Sequence, residues 1–195
     1  MWDERYSNEQ FAYGKEPNDF LREAADRLPV GQTLCLAEGE GRNAVFLARM
    51  GHAVTAIDLS IVGLEKAGRL AQEHQVSIER IHSDLAHYSI APESWDAIVS
   101  IFAHVPLPLR QRLHREVVAG LRPGGIFLLE AYTPEQLKYG TGGPPVEEMM
   151  MTLDSLQEEL EGLEWLHAQE LVRDLQEGEF HYGTGAVVQL IGRKL

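Results

Sequence analysis

The chain has 195 residues, 44% of them hydrophobic and 24% charged, which is an ordinary globular composition with enough length for one complete core. It has no apolar run near the roughly 18 residues of a membrane span, and residues 1–5 lack the basic flank and apolar segment of a signal peptide. Its 17 Lys and Arg against 30 Asp and Glu give a formal charge of -13, which repels nucleic-acid backbones, and its single cysteine excludes an internal disulfide. We therefore expect one cytoplasmic domain spanning residues 1–195, without membrane or nucleic-acid partners.

Predicted strands and helices alternate along most of the chain, which is typical of a mostly parallel sheet with helices on both faces. Apolar residues at helical spacing predict helices over 18–28, 45–50, 60–73, 109–121 and 152–160. Short apolar or alternating runs predict strands over 34–37, 53–57, 78–82, 95–101, 126–131, 163–172 and 185–191. A sharp stop is predicted at 122–125. The turn at 176–179 is too short for a crossover helix, so the last two strands should form an antiparallel hairpin.

Two segments stand apart from this alternation. Residues 1–28 begin with an aromatic cluster, which either packs this segment onto the domain or makes it a lid over a ligand. The loop at 132–151 is rich in Gly and Pro and is either a substrate lid or disordered. We assign them as an N-terminal helical lid segment and a substrate-side loop.

The most informative stretch is the apolar run 34–37, followed at once by the glycine turn Glu38-Gly39-Glu40-Gly41 and the helix-like 45–50. This order is typical of a nucleotide-type site, because glycines permit a tight turn and a close approach to a ligand, and the free N–H groups of the helix start bind oxygens. Residues 39–44 also match the G-x-G-x-x-A pattern of dinucleotide sites. The turn alone therefore leaves the ligand open.

Two carboxylates follow the next two predicted strands, Asp58 after 53–57 and Asp84 after 78–82. The carboxyl ends of parallel strands line one crevice, so both should lie beside the glycine turn. Asp58 is placed to accept hydrogen bonds from both hydroxyls of a ribose, and Asp84 from an exocyclic amine, with the N–H of Leu85 available to an adenine ring nitrogen. The alternative is structural: Asp58 ends a strand before a helix cap, and Asp84 is a turn residue.

With these motifs, the sequence resembles the class I S-adenosylmethionine-dependent methyltransferases. The resemblance covers nearly the whole chain and rests on the glycine turn, Ile57-Asp58-Leu59-Ser60, Ser83-Asp84-Leu85, Trp95-Asp96-Ala97-Ile98, the turn 121–125 and the closing hairpin. Residues 2–6 and 41–43 are most similar to the branch containing the tellurite-resistance and thiopurine methyltransferases. It implies a Rossmann-like α/β fold, a seven-stranded mostly parallel sheet with helices on both faces and an antiparallel C-terminal hairpin.

The resemblance also implies S-adenosylmethionine as the cofactor and no metal. Asp58 would hold the ribose, Asp84 and Leu85 the adenine, and the backbone of 100–102 would face the methionyl amino group. The cofactor-binding residues implied are Ala37, Glu38, Gly39, Gly41, Asn43, Asp58, Leu59, Asp84, Leu85 and Ile101.

The expected activity is transfer of the methyl group by in-line displacement to a small, soft or apolar acceptor, in which the protein positions the acceptor and excludes water. His104 is the histidine expected near the transfer position, as a base or to orient the acceptor, and its alternative role is to cap the next helix. The acceptor side should combine the N-terminal segment, the loop 132–151 and residues 181–182. We expect a monomer, with a dimer as the alternative.

One departure from the family pattern affects the cofactor site. That pattern is acidic-x-Gly-x-Gly-x-Gly, and here Cys35 and Ala37 replace the acid and the first glycine. Glu38 or Glu40, whichever points inward, is a candidate to compensate, although Glu40 could equally be a surface residue. Two alternatives to a methyltransferase follow: a nicotinamide-dinucleotide oxidoreductase, and a cofactor-binding sensor without catalysis.

Overall fold

Seven runs rich in aliphatic and β-branched residues form one sheet in the computed structural model, which describes residues 2–178 and 180–195. The strands of this described part of the chain are β1 Gln32–Leu36, β2 Ala53–Asp58, β3 Glu79–His82, β4 Trp95–Ile101, β5 Leu121–Tyr132, β6 Leu163–Glu177 and β7 His181–Lys194. Its α-helices are α1 Trp2–Tyr6, α2 Asp19–Ala24, α3 Arg42–Arg49, α4 Ile61–Glu73, α5 Leu107–Gly120 and α6 Leu153–Glu159. Short 3-10 helices lie at Ala25–Arg27, Pro134–Lys138 and Glu147–Met149.

The strand order is β3-β2-β1-β4-β5-β7-β6. Strands β1 to β5 pair in parallel, and β7 lies antiparallel between β5 and β6. The predicted fold, including its inserted antiparallel last strand, is confirmed. The glycine turn therefore follows the central strand β1, with β2 on one side and β4 on the other, where the strand order reverses and α/β sheets bind ligands.

Side-chain alternation along the central strands divides the core into two layers. Leu34 and Leu36 face one side with α5 and α6, whereas Cys35 faces the other side with α2 and α3. Cys35 is completely buried. It is therefore a core residue and does not line the crevice.

The C-terminal hairpin is longer than the sequence predicts. Strand β6 continues to Glu177 and β7 begins at His181, so the predicted strands 163–172 and 185–191 were too short; Glu179 lies outside the described residues. Two polar residues of this region, Glu177 and His181, are instead buried against the N-terminal segment. The predicted stop at 122–125 ends α5 but lies within β5, with a register irregularity opposite Trp95 to Ala97.

No helix within residues 2–178 and 180–195 has the length and apolar content needed to cross a membrane.

Candidate functional site

The glycine turn adopts backbone conformations that require its glycines. The φ angles of Gly39 and Gly41 are +61° and +88°, and Ala37 is also left-handed at +49°. A Cβ added to Gly41 would lie 2.5 Å from the Cβ of Ala67, so the glycine lets the turn pack against α4. A Cβ added to Gly39 would lie 2.7 Å from the Tyr6 hydroxyl oxygen. The turn thus makes a cradle at Gly39 that a larger residue would fill.

Glu38 caps helix α3 from outside the helix. Its Oε1 accepts hydrogen bonds from the N–H groups of Asn43, at 3.0 Å, and Ala44, at 2.8 Å. These are the second and third residues of α3, whose own N-cap Gly41 has no side chain to offer. A carboxylate of the chain thus occupies the positive helix end that a dinucleotide site leaves free for pyrophosphate. The arrangement disfavours a phosphate ligand there.

Asp58 lies beside this turn, at the end of β2. Its two oxygens accept N–H bonds from Gly39, at 2.8 Å, and Ser60, at 2.7 Å, and these contacts fix the carboxylate between β2 and the glycine turn. Burial raises the pKa of Asp58, while the two backbone hydrogen bonds oppose that rise. Each carboxylate oxygen has a second lone pair, so the group can still accept from ligand hydroxyls. The neighbouring Leu59 side chain is exposed.

Asp84 and Leu85 follow β3, the strand next to β2. Asp84 is half-buried and its Oδ1 accepts the N–H of Ala86 at 2.8 Å, which is the turn geometry of the structural alternative. Leu85 is buried, and its carbonyl accepts a hydrogen bond from Arg112. The chain order β1, β2, β3 therefore brings the three predicted cofactor contacts to one edge of the sheet.

On the other side of the turn, the end of β4 is also placed next to β1, since Leu36 and Ser100 pair in register. Ile101 is buried in the core layer that contains α2 and α3, so only its backbone faces the crevice edge. Phe102 follows with a left-handed φ of +52°. This reversal carries its ring into an aromatic cluster.

The aromatic cluster consists of Tyr13, Phe102, Tyr132 and His181. The Phe102 ring centroid lies 4.6 Å from those of both Tyr132 and His181, and Tyr13 lies 4.5 Å from His181. Two buried polar atoms here, the Tyr132 hydroxyl and His181 Nδ1, have no hydrogen-bond partner among residues 2–178 and 180–195. Buried polar groups are normally paired, so these two atoms point to a polar ligand group or water between them.

Neither ring nitrogen of His104 is free to contact a ligand in this cluster. Its Nδ1 lies 2.9 Å from the carbonyl oxygen of Met149, to which it can only donate, and its Nε2 accepts the N–H of Tyr132 at 3.2 Å. Burial also lowers the pKa of His104 to about 4. Both nitrogens of the neutral ring are therefore used to connect the end of β5 with the loop 132–151. The geometry does not support the predicted role as a base.

The N-terminal segment covers the crevice. Glu40, for which a surface role was an open alternative, is instead buried; it forms an ion pair with Lys66 and accepts the N–H of Ala12 at 2.8 Å. Lys66 also donates to the carbonyls of Tyr6, Asn8 and Gln10. Glu40 is therefore used to hold residues 6–12 and is not available to a ligand.

Tyr6 places its hydroxyl in the Gly39 cradle, and Asp3 accepts the Ser60 hydroxyl at 2.5 Å. Asn43, predicted to contact the cofactor, accepts the N–H of Asn18 at 2.9 Å and so anchors the same segment. The sequence predicted none of these three contacts. Aromatic clustering in residues 2–13 was the available signal, but it does not specify the partner of each ring.

Charge compensation distinguishes the acidic groups of the site. Glu40 pairs with Lys66, and Glu177 pairs with Arg42 and Arg173. Among the described residues, neither Glu38 nor Asp58 forms an ion pair with a basic side chain. Burial raises the pKa of Glu38 to about 7, and the nearby charge of Asp58 adds to this rise. The site is therefore suited to a ligand that brings positive charge or hydrogen-bond donors.

The described residues contain no group of three or more His, Cys, Asp and Glu arranged to hold a metal ion. S-adenosylmethionine fits the carboxylates that the site does contain, Glu38 and Asp58. It carries an ammonium, a sulfonium and two ribose hydroxyls, and has no phosphate to compete with Glu38 for the start of α3. The Gly39 cradle is shaped for close approach of a ligand once the Tyr6 hydroxyl moves.

Comparison with known proteins agrees with this geometry. Residues 34–125 match the family model described as a methyltransferase domain. No curated protein sequence matches the chain. Among solved structures, NodS, an N-methyltransferase from Bradyrhizobium japonicum WM9 in complex with S-adenosyl-L-homocysteine, has a TM-score of 0.72 at 16% identity, over 99% of this chain and 96% of NodS.

TehB from Haemophilus influenzae has a TM-score of 0.75 at 18% identity; the match covers all of this chain and 66% of TehB. A structure described under the conversion of a disulfide bond into a thioacetal group during echinomycin biosynthesis has a TM-score of 0.76 at 15% identity, over 98% of this chain and 87% of that one. The predicted resemblance is confirmed. Residues 34–125 match a methyltransferase domain, and the chain has the fold of the class I S-adenosylmethionine-dependent methyltransferases.

Proposed function

We propose that this protein transfers a methyl group from S-adenosylmethionine to a small-molecule acceptor by in-line displacement. The observation that carries the proposal is the pair of carboxylates at the ends of β1 and β2. Glu38 occupies the start of α3, and neither Glu38 nor Asp58 is paired with a described cation. A cationic ligand that also carries a ribose satisfies both groups, whereas a pyrophosphate would be repelled by Glu38.

The cofactor, when bound, supplies an activated methyl group. In our proposal Asp58 accepts hydrogen bonds from the ribose hydroxyls, and Asp84 and Leu85 contact the adenine. The backbone at Ala37, Gly39, Gly41 and Ile101 lines the crevice, Leu59 covers its outer side, and Asn43 holds the N-terminal segment in place. These side chains bind and orient; none of them moves a proton.

We further propose that residues 2–17 form a lid that opens for ligand entry, because Tyr6 and Asp3 lie where a ligand would approach Gly39 and Ser60. Cation–π contacts of Arg5 with Phe180 and of Lys66 with Phe11 hold the segment against the domain. Exclusion of water from an aromatic enclosure protects a methyl transfer from hydrolysis.

The acceptor site in this proposal is the aromatic cluster. Its rings provide apolar faces beside the glycine turn, and the two unpartnered atoms, Tyr132 hydroxyl and His181 Nδ1, provide polar contacts. Burial lowers the pKa of His181 to about 3, so its ring is neutral and can form a hydrogen bond with the acceptor. We assign His104 to positioning the end of β5, because both its nitrogens are already bonded.

Titration calorimetry tests the cofactor. We expect the wild type to bind S-adenosylmethionine and S-adenosylhomocysteine and not NAD, and Asp58→Ala to weaken both methyl-cycle ligands by about 1.5–3 kcal/mol, the range of hydrogen bonds to charged groups. Asp26→Ala, which removes an exposed carboxylate in the 3-10 helix after α2, is the matched control. Tight binding of NAD alone would establish the dinucleotide alternative and overturn the proposal.

Turnover of candidate acceptors tests the acceptor site. We expect Tyr132→Phe to raise the acceptor KM by roughly 5- to 20-fold, the equivalent of one hydrogen bond of about 1–2 kcal/mol, without changing cofactor affinity. The hydroxyl has no hydrogen-bond partner in the described part of the chain, so the free energy of unfolding should not fall. Tight cofactor binding with no turnover across thiols, selenite, tellurite and small amines would favour a sensor.

A further inference from the structure

The acid that the family pattern places on β1 is absent here, and Cys35 occupies its position. Cys35 is completely buried and lies near the Glu38 side chain. The first carboxylate after this position in the sequence is that of Glu38, three residues later in the glycine turn. Burial, followed by the neighbouring Glu38, raises the pKa of Cys35, so the thiol stays protonated.

The other acid of the turn cannot take this role. Glu40 is buried in its ion pair with Lys66 and in a hydrogen bond with the N–H of Ala12, and both contacts hold the N-terminal segment. Breaking such a pair would leave an uncompensated buried charge. Glu38 is thus the remaining candidate within the turn.

Glu38 is also held rigidly. Its Oε1 accepts from two consecutive N–H groups of α3, those of Asn43 and Ala44. The side chain is only partly buried, and its nearest positive charge, on Arg42, is directed to Glu177 at 2.5 Å. A fixed carboxylate with exposed surface and no ion-pair partner among the described residues is a preorganised site for a ligand cation.

We propose that Glu38 is the specificity-determining carboxylate for the amino-acid part of the cofactor. The ligand group it recognises is the methionyl ammonium, which the protein itself does not neutralise. This inference rests on the proposed cofactor. It assigns Asp58 and Glu38 separate tasks, because Asp58 contacts the nucleoside part and Glu38 the amino-acid part.

The test compares S-adenosylhomocysteine with 5′-methylthioadenosine, which has the same nucleoside and no ammonium. Calorimetry at pH 8 keeps most of Glu38 ionised. For Glu38→Gln we expect S-adenosylhomocysteine affinity to fall roughly 10- to 150-fold, the equivalent of one hydrogen bond to a charged group. The affinity for 5′-methylthioadenosine should change by less than about threefold, since glutamine keeps an oxygen to cap α3. Glu65→Gln, the same change at an exposed position of α4, should alter neither.

Equal weakening of both ligands would make Glu38 a structural residue of the turn and overturn the inference, as would unchanged affinity for both. If the wild type binds neither methyl-cycle ligand, the proposed cofactor itself fails, which is a distinct result.

Discussion

Asn18 connects the N-terminal segment to the sheet, and its replacement by Asp should strongly destabilise the protein. Its side chain is fully buried, and Nδ2 donates to Glu130 Oε2 at 2.6 Å and to Glu177 Oε1 at 2.7 Å. Oδ1 accepts the N–H of Leu21 at 2.9 Å and caps α2. Asp keeps the shape and the cap but replaces both donor hydrogens by a negative oxygen. The variant thus isolates the two contacts with the carboxylates.

The magnitude follows from these two contacts. Hydrogen bonds to charged groups contribute about 1.5–3 kcal/mol each, so Asn18→Asp should lose roughly 3–6 kcal/mol at pH 7.5. Arg42 and Arg173 already balance the charges of Glu130 and Glu177, so a third carboxylate has no cation of its own. The loss is comparable with the total stability of a domain, about 5–15 kcal/mol.

Urea unfolding of the wild type, Asn18→Asp and the exposed control Asn8→Asp measures the effect. Burial among carboxylates should raise the folded pKa of the introduced carboxyl group above its unfolded value, so the folded state binds the extra proton. The variant should therefore recover stability as pH falls from 7.5 to 5.5, by up to about 1.4 kcal/mol per pH unit relative to the control. A difference from Asn8→Asp below about 1 kcal/mol at pH 7.5, or one independent of pH, would refute this reasoning.

Two further changes test the glycine turn. Gly41→Ala should destabilise the protein by about 2–4 kcal/mol in urea unfolding, because its φ is +88° and the new Cβ would lie 2.5 Å from the Cβ of Ala67. The control Gly124→Ala, where φ is +81° and the surrounding space is open, should lose only about 1 kcal/mol of stability. Equal losses in the two variants would exclude the contact with α4 as the cause. Burial raises the pKa of Glu38 from 4.5 to about 7, so the wild type should lose up to about 3 kcal/mol of stability as pH rises through that window. The Glu38→Gln variant should not show this loss, and parallel pH profiles for the two proteins would contradict the buried carboxylate.

The regular elements were largely predictable because their signals are local. Ser60, for example, caps α4 as its position before an apolar helical pattern indicates, and its hydroxyl accepts the N–H of Gly63 at 3.0 Å. The C-terminal hairpin was predicted from the short turn alone, but its length was not. Glu177 fell in the predicted turn 176–179 and His181 before the last predicted strand, and only the tertiary structure shows both buried within the long strands.

The individual contacts of the site depend on residues far apart in the chain, which is why the sequence could not specify them. A surface position for Glu40 was an open alternative, because its partner Lys66 is 26 positions away on another helix. His104 was a reasonable base from its position after β4, and its two hydrogen bonds to residues 28 and 45 positions later remove the free nitrogen. Such pairings appear only when the sheet order is known.

The amino-acid sequence by itself determined the strand, glycine turn and helix around residues 34–50, and it placed Asp58 and Asp84 at the ends of the next two strands. These features follow from residue spacing and backbone preference, which act over a few neighbours. The tertiary structure decided which carboxylates remain for a ligand. It paired Glu40 with Lys66 and Glu177 with Arg42, and it left Glu38 and Asp58 without ion-pair partners among the described residues. The physical reason is that charge compensation depends on distance in space, and in this fold the compensating cations come from remote segments.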